Sequence, residues 1–262
     1  MSAIVNDGLF HVLFVTTPAR MLTPRFKAYF AGSALPSISL KFVLKRREPK
    51  QERDERGNVS MGWTERCSEA EFAAGARALA ASKESAWINV EGELRPLDLE
   101  LLAEMPQLGA VVSGHGMEPE HARDILARLP VATKVILALE NEAMIIAGGR
   151  LIASGRLDGL VIGTSYLSES SKIYDQMGLE KYRLLMRGLG KKAASSGVRP
   201  YTTSNYCTFE TSGIGDKNKA FVAEQVDFVS SQGAWGSLTR FYSHLDVAQK
   251  AREASEHARS RP

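Results

Sequence analysis

The sequence of 262 residues has only two cysteines, Cys67 and Cys207, so it cannot carry the disulfide framework of a small secreted domain. It contains no apolar run near the ~18 to 20 uncharged residues that cross a bilayer. Its N-terminus also lacks a basic segment followed by an apolar core and a cleavage site, the pattern of a secretory signal. We therefore expect a cytoplasmic protein with no membrane partner.

An excess of charge of one sign is also missing. The chain has 33 Lys and Arg against 30 Asp and Glu, which gives a net charge of +3. The basic residues are interspersed with acidic ones and lack regularly spaced aromatic partners, so we expect no nucleic-acid partner. Apolar residues make up 44% and charged residues 24% of the chain, which is usual for a globular protein and excludes a fibrous repeat.

Short apolar runs alternate with amphipathic stretches along the whole chain. Each run is rich in β-branched or aromatic residues and has the length of one strand. The runs cover residues 11–17, 37–44, 86–92, 108–114, 134–141, 157–165, 199–208 and 235–241. A helical pattern follows each of them, and one opens at Ser68 with Glu71 three residues later, which is a capping-box pattern.

Eight strands, each followed by a helix, within ~250 residues predict an α/β fold of the (β/α)8 TIM-barrel type. We expect one domain over residues 1–262. The alternative is an open doubly wound sheet, which usually has a glycine-rich turn after its first strand. The first turn here reads TTPAR and has no glycine, which favours the barrel.

One segment, residues 45–60, interrupts this alternation with six basic and four acidic residues and almost nothing apolar. This composition predicts a solvated loop or lid. Because the segment follows the second predicted strand, the functional alternative is a mobile flap over the barrel mouth. The polar tail, about residues 250–262, is expected to fray.

In a barrel of this type the chemistry lies where strands end and the following loops begin. The polar residues at these points form two groups of candidates. The candidate catalytic residues are Lys45, His115, Glu140 and Tyr166. The candidate substrate-binding residues are Arg20, Arg46, Asn89, Asn205 and Arg240, and Glu91 and Ser113 also lie at strand ends.

Arginine side chains suit carboxylates and phosphates, so these candidates predict an anionic small-molecule substrate. Glu140 could bind a metal or move a proton, and His115 titrates near neutrality. Each has a structural alternative: Glu140 and Arg20 could form ion pairs with neighbours, and His115 could be an ordinary loop residue.

Three segments resemble the HpcH/HpaI aldolase family, which includes the citrate lyase beta subunit and malyl-CoA lyase. They are LFVTTPARML (13–22), GAVVSGHGMEPEHARDIL (109–126) and the stretch 135–167. The resemblance implies a TIM barrel and a Mg²⁺-dependent lyase that makes or breaks a carbon–carbon bond beside a carboxylate or acyl thioester. It places Arg20 on the family's substrate arginine and Glu140 on its metal-binding glutamate, and it implies a homo-oligomer.

The sequence departs from the family pattern at the metal site. Tyr166 stands where the family has its second metal-binding aspartate, and Phe42, Leu44 and Lys45 replace the acidic motif of strand two.

Three functions therefore stay open. The first is a divergent carbon–carbon lyase or aldolase that acts through an enolate-like intermediate. The second is a metal-independent enzyme on the same barrel that catalyses decarboxylation, condensation or cyclisation in a biosynthetic pathway. There Lys45, Arg46 or Arg20 would hold the anion, while Tyr166 or His115 would move a proton. The third is a non-catalytic binding or scaffold protein.

Overall fold

The computed structural model describes residues 10–21, 38–53, 59–81, 85–113, 116–162, 188–203 and 236–239. The strands in chain order are β1 (Phe10–Thr16), β2 (Ile38–Leu44), β3 (Arg47–Arg53), β4 (Val59–Glu65), β5 (Ser85–Glu91), β6 (Gly109–Ser113), β7 (Val135–Leu139), β8 (Gly159–Ile162), β9 (Arg199–Thr203) and β10 (Gly236–Thr239). The helices are α1 (Pro18–Met21), α2 (Glu69–Ala80), α3 (Pro96–Glu104), α4 (Pro119–Arg128) and α5 (Glu142–Ala153), and residues 188–195 are also helical. None of these helices is long and apolar enough to cross a bilayer.

Among the described residues, eight strands pair in parallel in the order β1, β2, β5, β6, β7, β8, β9 and β10, and β10 pairs back onto β1. The predicted parallel α/β class is thus confirmed, and the ladder of strands closes on itself. The helices expected at residues 21–30, 219–231 and 244–259 lie largely or wholly outside the described residues. The complete repeat of eight helices is therefore not seen in the described part of the chain.

The local signals at two helix starts are confirmed. Ser68 Oγ accepts a hydrogen bond from the Glu71 backbone N–H at 3.3 Å, and Glu71 Oε2 accepts one from the Ser68 N–H at 2.7 Å. This reciprocal pair satisfies two N–H groups that the first turn of α2 leaves open. Helix α4 begins at Pro119, where a proline ring suits the first turn.

The alternation of side chains along each strand separates two cores. Phe42 and Leu44 belong to a large apolar cluster between the sheet and its helices, whereas Val43 belongs to a smaller cluster inside the ring. The inner cluster consists of Leu13, Val15, Val43, Trp87, Val111, Ile136, Ala138, Val161 and Tyr201. Because side chains alternate with a period of two, this cluster shows which polar residues at the strand ends face the interior.

The segment 45–60, predicted to be a solvated loop or lid, contains regular secondary structure. Residues Arg47–Arg53 and Val59–Glu65 form an antiparallel hairpin outside the ring, with Arg47 opposite Glu65. The Arg47 Nε donates to Glu65 Oε1 at 2.7 Å, so the two charges form a cross-strand pair. A ribbon with this many charged residues lacks the apolar alternation by which strands are recognised, so the sequence does not reveal these two strands.

The start of this segment is buried rather than solvated. The Lys45 backbone N–H donates to the Thr16 carbonyl at 2.9 Å, and the side chains of Lys45 and Arg46 are both buried. Residues 54–58 and the tail at about 250–262 lie outside the described residues. The lid function of 45–60 therefore stays a prediction.

Candidate functional site

Five polar side chains lie at the carboxyl ends of four neighbouring strands, β2, β5, β6 and β7. These residues, which we call the polar layer, are Lys45, Asn89, Glu91, Ser113 and Glu140. All of them except Ser113 are buried. Each continues the alternation that sends Val43, Trp87, Val111 or Ala138 into the ring, so the polar layer lies above the inner apolar core.

The packing below the polar layer depends on a glycine. Gly109 of β6 lies opposite Trp87 of β5, and a Cβ atom at residue 109 would overlap the indole ring. The absence of a side chain therefore lets the Trp87 ring fill the interior of the barrel. The Trp87 ring and the rest of the inner cluster thus form an apolar floor below the polar layer.

Two hydrogen bonds orient the carboxyl group of Glu91. Ser113 Oγ donates to Asn89 Oδ1 at 3.0 Å, and Asn89 Nδ2 donates to Glu91 Oε1 at 2.9 Å. The second oxygen, Oε2, is buried and has no hydrogen-bond partner among the residues that the structure describes. Glu91 thus presents one fixed oxygen and one oxygen with unused hydrogen-bonding capacity.

Burial raises the pKa of Glu91 from 4.5 to about 7. The ammonium of Lys45 opposes this rise most strongly, followed by the hydrogen bond from Asn89 and the charges of Arg47 and Arg46. Both protonation states of Glu91 are consequently populated near neutral pH. A buried carboxyl group of this kind beside a cation is typical of sites that transfer protons.

Glu140 follows β7 and belongs to the polar layer. The next residue, Asn141, fixes the backbone at this strand end through two hydrogen bonds. Asn141 Oδ1 accepts a hydrogen bond from the Met144 N–H at 2.9 Å and so caps α5. Its amide nitrogen donates to the Met117 carbonyl, also at 2.9 Å. The strand end that carries Glu140 is therefore fixed to both neighbouring segments.

Arg46 points away from the polar layer. It follows the outward-facing Leu44, forms a short ion pair with Asp98 of α3, and its guanidinium lies 4.5 Å from the centroid of the Phe72 ring. Burial raises the pKa of Asp98 to about 6, although Arg46 lowers it, so the carboxylate is still ionised at pH 7. These contacts give Arg46 a structural role, and its substrate-binding role stays a prediction without support from this geometry.

The hairpin is tied to the segment before α3 by surface ion pairs. Glu65 Oε1 accepts from Arg47 at 2.7 Å and from Arg95 at 2.8 Å. Since these pairs are partly exposed, they contribute little to stability but fix the hairpin base beside the end of β5. Nearby, burial and the charges of Glu71 and Glu65 raise the pKa of Cys67 to about 11, so its thiol is protonated and not nucleophilic.

The structure places three of the predicted site residues, Lys45, Asn89 and Glu140, at the same end of the ring of strands. It adds Glu91 and Ser113, which the sequence shows at strand ends but which sequence reasoning did not select. The signal that could have found them is the alternation itself, because residues 87, 89 and 91 share one face. The predicted residues His115, Tyr166, Asn205 and Arg240, and the side chain of Arg20, lie outside the described residues.

The described residues of the polar layer do not form a magnesium site by themselves. A magnesium ion requires near-octahedral oxygen ligands and is usually bound by one or two carboxylates together with waters and substrate oxygens. The described residues contain no group of three His, Cys, Asp or Glu side chains that could hold a metal. In addition, Lys45, Arg46 and Arg47 place positive charge around Glu91, which disfavours a dication beside it.

Comparison with known proteins supports the fold but not a closer relationship. No family model matches the chain, and no curated protein sequence matches it. The chain is similar to the citrate lyase beta subunit of M. tuberculosis complexed with oxaloacetate and magnesium, at a TM-score of 0.59 and 14% identity over 98% of both chains. It is also similar to RipC from Yersinia pestis, at a TM-score of 0.57 and 12% identity over 94% of both chains.

A citrate lyase from Burkholderia xenovorans gives a TM-score of 0.62 at 11% identity, over 94% of this chain and 76% of that one. The resemblance to this group in the sequence is therefore confirmed in three dimensions. The chain has the parallel α/β fold of the citrate lyase beta subunits.

Proposed function

We propose that the chain is a lyase or aldolase-type enzyme that makes or breaks a carbon–carbon bond in a small carboxylate, on a single complete (β/α)8 barrel. The observation that supports this function is the polar layer. It places a buried ammonium and two buried carboxyl groups at the carboxyl end of the strands, directly above an apolar floor. In barrel enzymes this end holds the active site.

Lys45 is the group in this layer that suits an anionic substrate. A buried ammonium interacts strongly with an anion because little water screens the two charges. Solved structures with this fold contain oxaloacetate, acetoacetate or pyruvate, and one also contains coenzyme A. These molecules are oxo-acids and a thioester carrier, so we propose a small oxo-acid or its acyl thioester as the substrate of this chain.

The reaction would pass through an enolate. In the cleavage direction a base accepts the proton of the substrate hydroxyl, the O–H electron pair forms a carbonyl group, and the carbon–carbon bond breaks. The released pair becomes an enolate whose oxygen carries the negative charge. Lys45 would stabilise that oxygen, Asn89 would donate a hydrogen bond, and Glu140 would serve as a second proton-transfer group.

The outer part of the site is proposed from the sequence alone. Arg20, Asn205 and Arg240 would bind the distal carboxylate of the substrate, and His115 or Tyr166 would return a proton. Because cations surround Glu91 and the described residues contain no group of three metal-ligating side chains, no step is assigned to a metal. We therefore expect the activity to change by less than about twofold in excess EDTA. A metal-dependent lyase would lose its activity there, because EDTA removes the metal that acts as its Lewis acid.

The first test is binding of pyruvate, oxaloacetate and acetoacetate, measured by ligand-observed NMR in the presence of EDTA. We expect the wild-type chain to bind at least one of them, and Lys45→Met to weaken that binding about tenfold or more. Lys134→Met is the matched control, since Lys134 is exposed and precedes β7 at the opposite end of the barrel. No binding by the wild-type chain, or equal binding by Lys45→Met, would refute the proposal.

The second test is turnover. Small 3-hydroxy acids and their thioesters would be incubated with the protein, and oxo-acid products would be detected by NMR. Binding without any bond cleavage or formation would favour the binding or scaffold function. Release of carbon dioxide from an oxo-acid, without aldol products, would favour the metal-independent decarboxylase.

A further inference from the structure

We infer that Glu91 is the catalytic base that removes a proton from the substrate and returns it. This inference rests on the proposed function, because it assigns a residue to the enolate chemistry of the polar layer. Neither the sequence candidates nor the family resemblance includes Glu91 as a proton acceptor.

The first argument is the position of the carboxyl group. Glu91 is the last residue of β5 and faces the interior, as do Trp87 and Asn89 on the same strand. It is only 8% exposed, so its carboxyl group lies within the barrel mouth rather than on the outer surface. A bound substrate in contact with Lys45 would also lie close to Glu91, because Lys45 follows β2, the strand that pairs with β5.

The second argument is the state of its two oxygens. Oε1 is held by the amide of Asn89, which Ser113 holds in turn. Within the described part of the chain Oε2 is buried without a hydrogen-bond partner, and an unsatisfied buried oxygen of this kind is costly and therefore rare. A carboxylate with one anchored oxygen and one open oxygen is oriented to accept a proton at the open oxygen.

The third argument is the charge around the group. Lys45 and Arg46 follow β2, Arg47 lies in β3 and Cys67 follows β4, and all four interact electrostatically with Glu91. The three cations favour the ionised form, whereas burial favours the neutral form. Glu91 can therefore exist in either state near neutrality, as a group that accepts and returns a proton must.

The proton transfer conserves atoms and electrons. With pyruvate, Glu91 Oε2 accepts a proton from the methyl carbon, and the C–H electron pair forms the carbon–carbon double bond of the enolate. The carbonyl electron pair moves onto the oxygen, which Lys45 stabilises. The reverse step returns a proton to carbon, so no oxidant or co-reactant is needed.

The experiment measures deuterium exchange into the methyl group of pyruvate, by proton NMR in D₂O, from acid to alkaline pH. We expect the wild-type chain to catalyse exchange, with a rate that rises as Glu91 ionises. Glu91→Gln should slow exchange about 100-fold or more and remove this pH dependence, while pyruvate still binds. Glu91→Asp, which keeps a carboxyl group, should restore part of the rate.

Glu93→Gln is the matched control, because Glu93 lies two residues away with its side chain 67% exposed. Melting curves show whether each variant is folded. Exchange by folded Glu91→Gln within about threefold of wild type, with the same pH profile, would overturn the role of Glu91 alone. If wild-type chain binds pyruvate but exchanges no deuterium, the role of Glu91 fails while substrate binding stands; if it does not bind at all, the proposed function fails as well.

Discussion

Replacing Glu91 by Gln should change the way that stability depends on pH. The pKa of Glu91 rises from 4.5 to about 7 on folding, mainly because burial disfavours the charged form. The difference of about 2.5 between the two values corresponds to roughly 3.4 kcal/mol, at 1.36 kcal/mol for each pH unit. This is the free energy by which ionisation of Glu91 destabilises the folded chain at high pH.

The sign follows from proton binding. Between the two pKa values the folded state binds more protons at Glu91 than the unfolded state does, so stability decreases as pH rises. Between pH 5 and pH 8 the wild-type chain should therefore lose about 2 to 3 kcal/mol that Glu91→Gln does not lose. Asp98, whose pKa is also raised, titrates in both proteins, so its contribution cancels in the comparison.

The assay is urea denaturation of both proteins at several pH values, and the quantity of interest is the difference between their unfolding free energies. Its absolute size depends on how Lys45 responds to the loss of a partner, but its slope with pH reports Glu91. Glu93→Gln provides the baseline for an exposed glutamate. A difference that stays constant within about 0.5 kcal/mol from pH 5 to pH 8 would refute the assignment of a raised pKa to this group.

Three further predictions concern stability and can be checked by urea denaturation. Arg46→Ala should lower the free energy of unfolding by about 3 to 5 kcal/mol, because it leaves the buried Asp98 uncompensated. The double variant Arg46→Ala with Asp98→Ala should lose less than the sum of the two single losses. Additive losses would contradict a stabilising interaction between the two residues. Gly109→Ala should cost about 1 to 3 kcal/mol through overlap with Trp87, and a neutral effect would show that the indole can move. Ser68→Ala should cost about 1 kcal/mol through loss of the helix cap, and no loss would contradict a role of the cap in stability.

Much of the fold could be predicted because its signals are local. The run 134–141 is apolar and β-branched, and the strand Val135–Leu139 lies within it. Ser68 and Glu71 satisfy the first turn of a helix through neighbours three residues apart, so the sequence alone shows where α2 begins. The ring of strands then follows from repetition of the same unit.

The hairpin and the opposite orientations of Lys45 and Arg46 after β2 could not be predicted in this way. Arg47 and Glu65 are 18 residues apart, and Arg46 and Asp98 are 52 residues apart, so nothing in the local sequence indicates either pair. The importance of Glu91 depends on burial and on the Lys45 charge, both of which arise only when the chain is folded.

Lys45 and Arg46 are consecutive cations that lie on opposite sides of the barrel wall. The first faces the interior of the ring of strands, and the second pairs with Asp98 of a helix outside it. We therefore expect the residue at position 45 to follow the chemistry of the substrate, whereas position 46 could not change without its acidic partner. Among chains of this shape, residues 46 and 98 should change together.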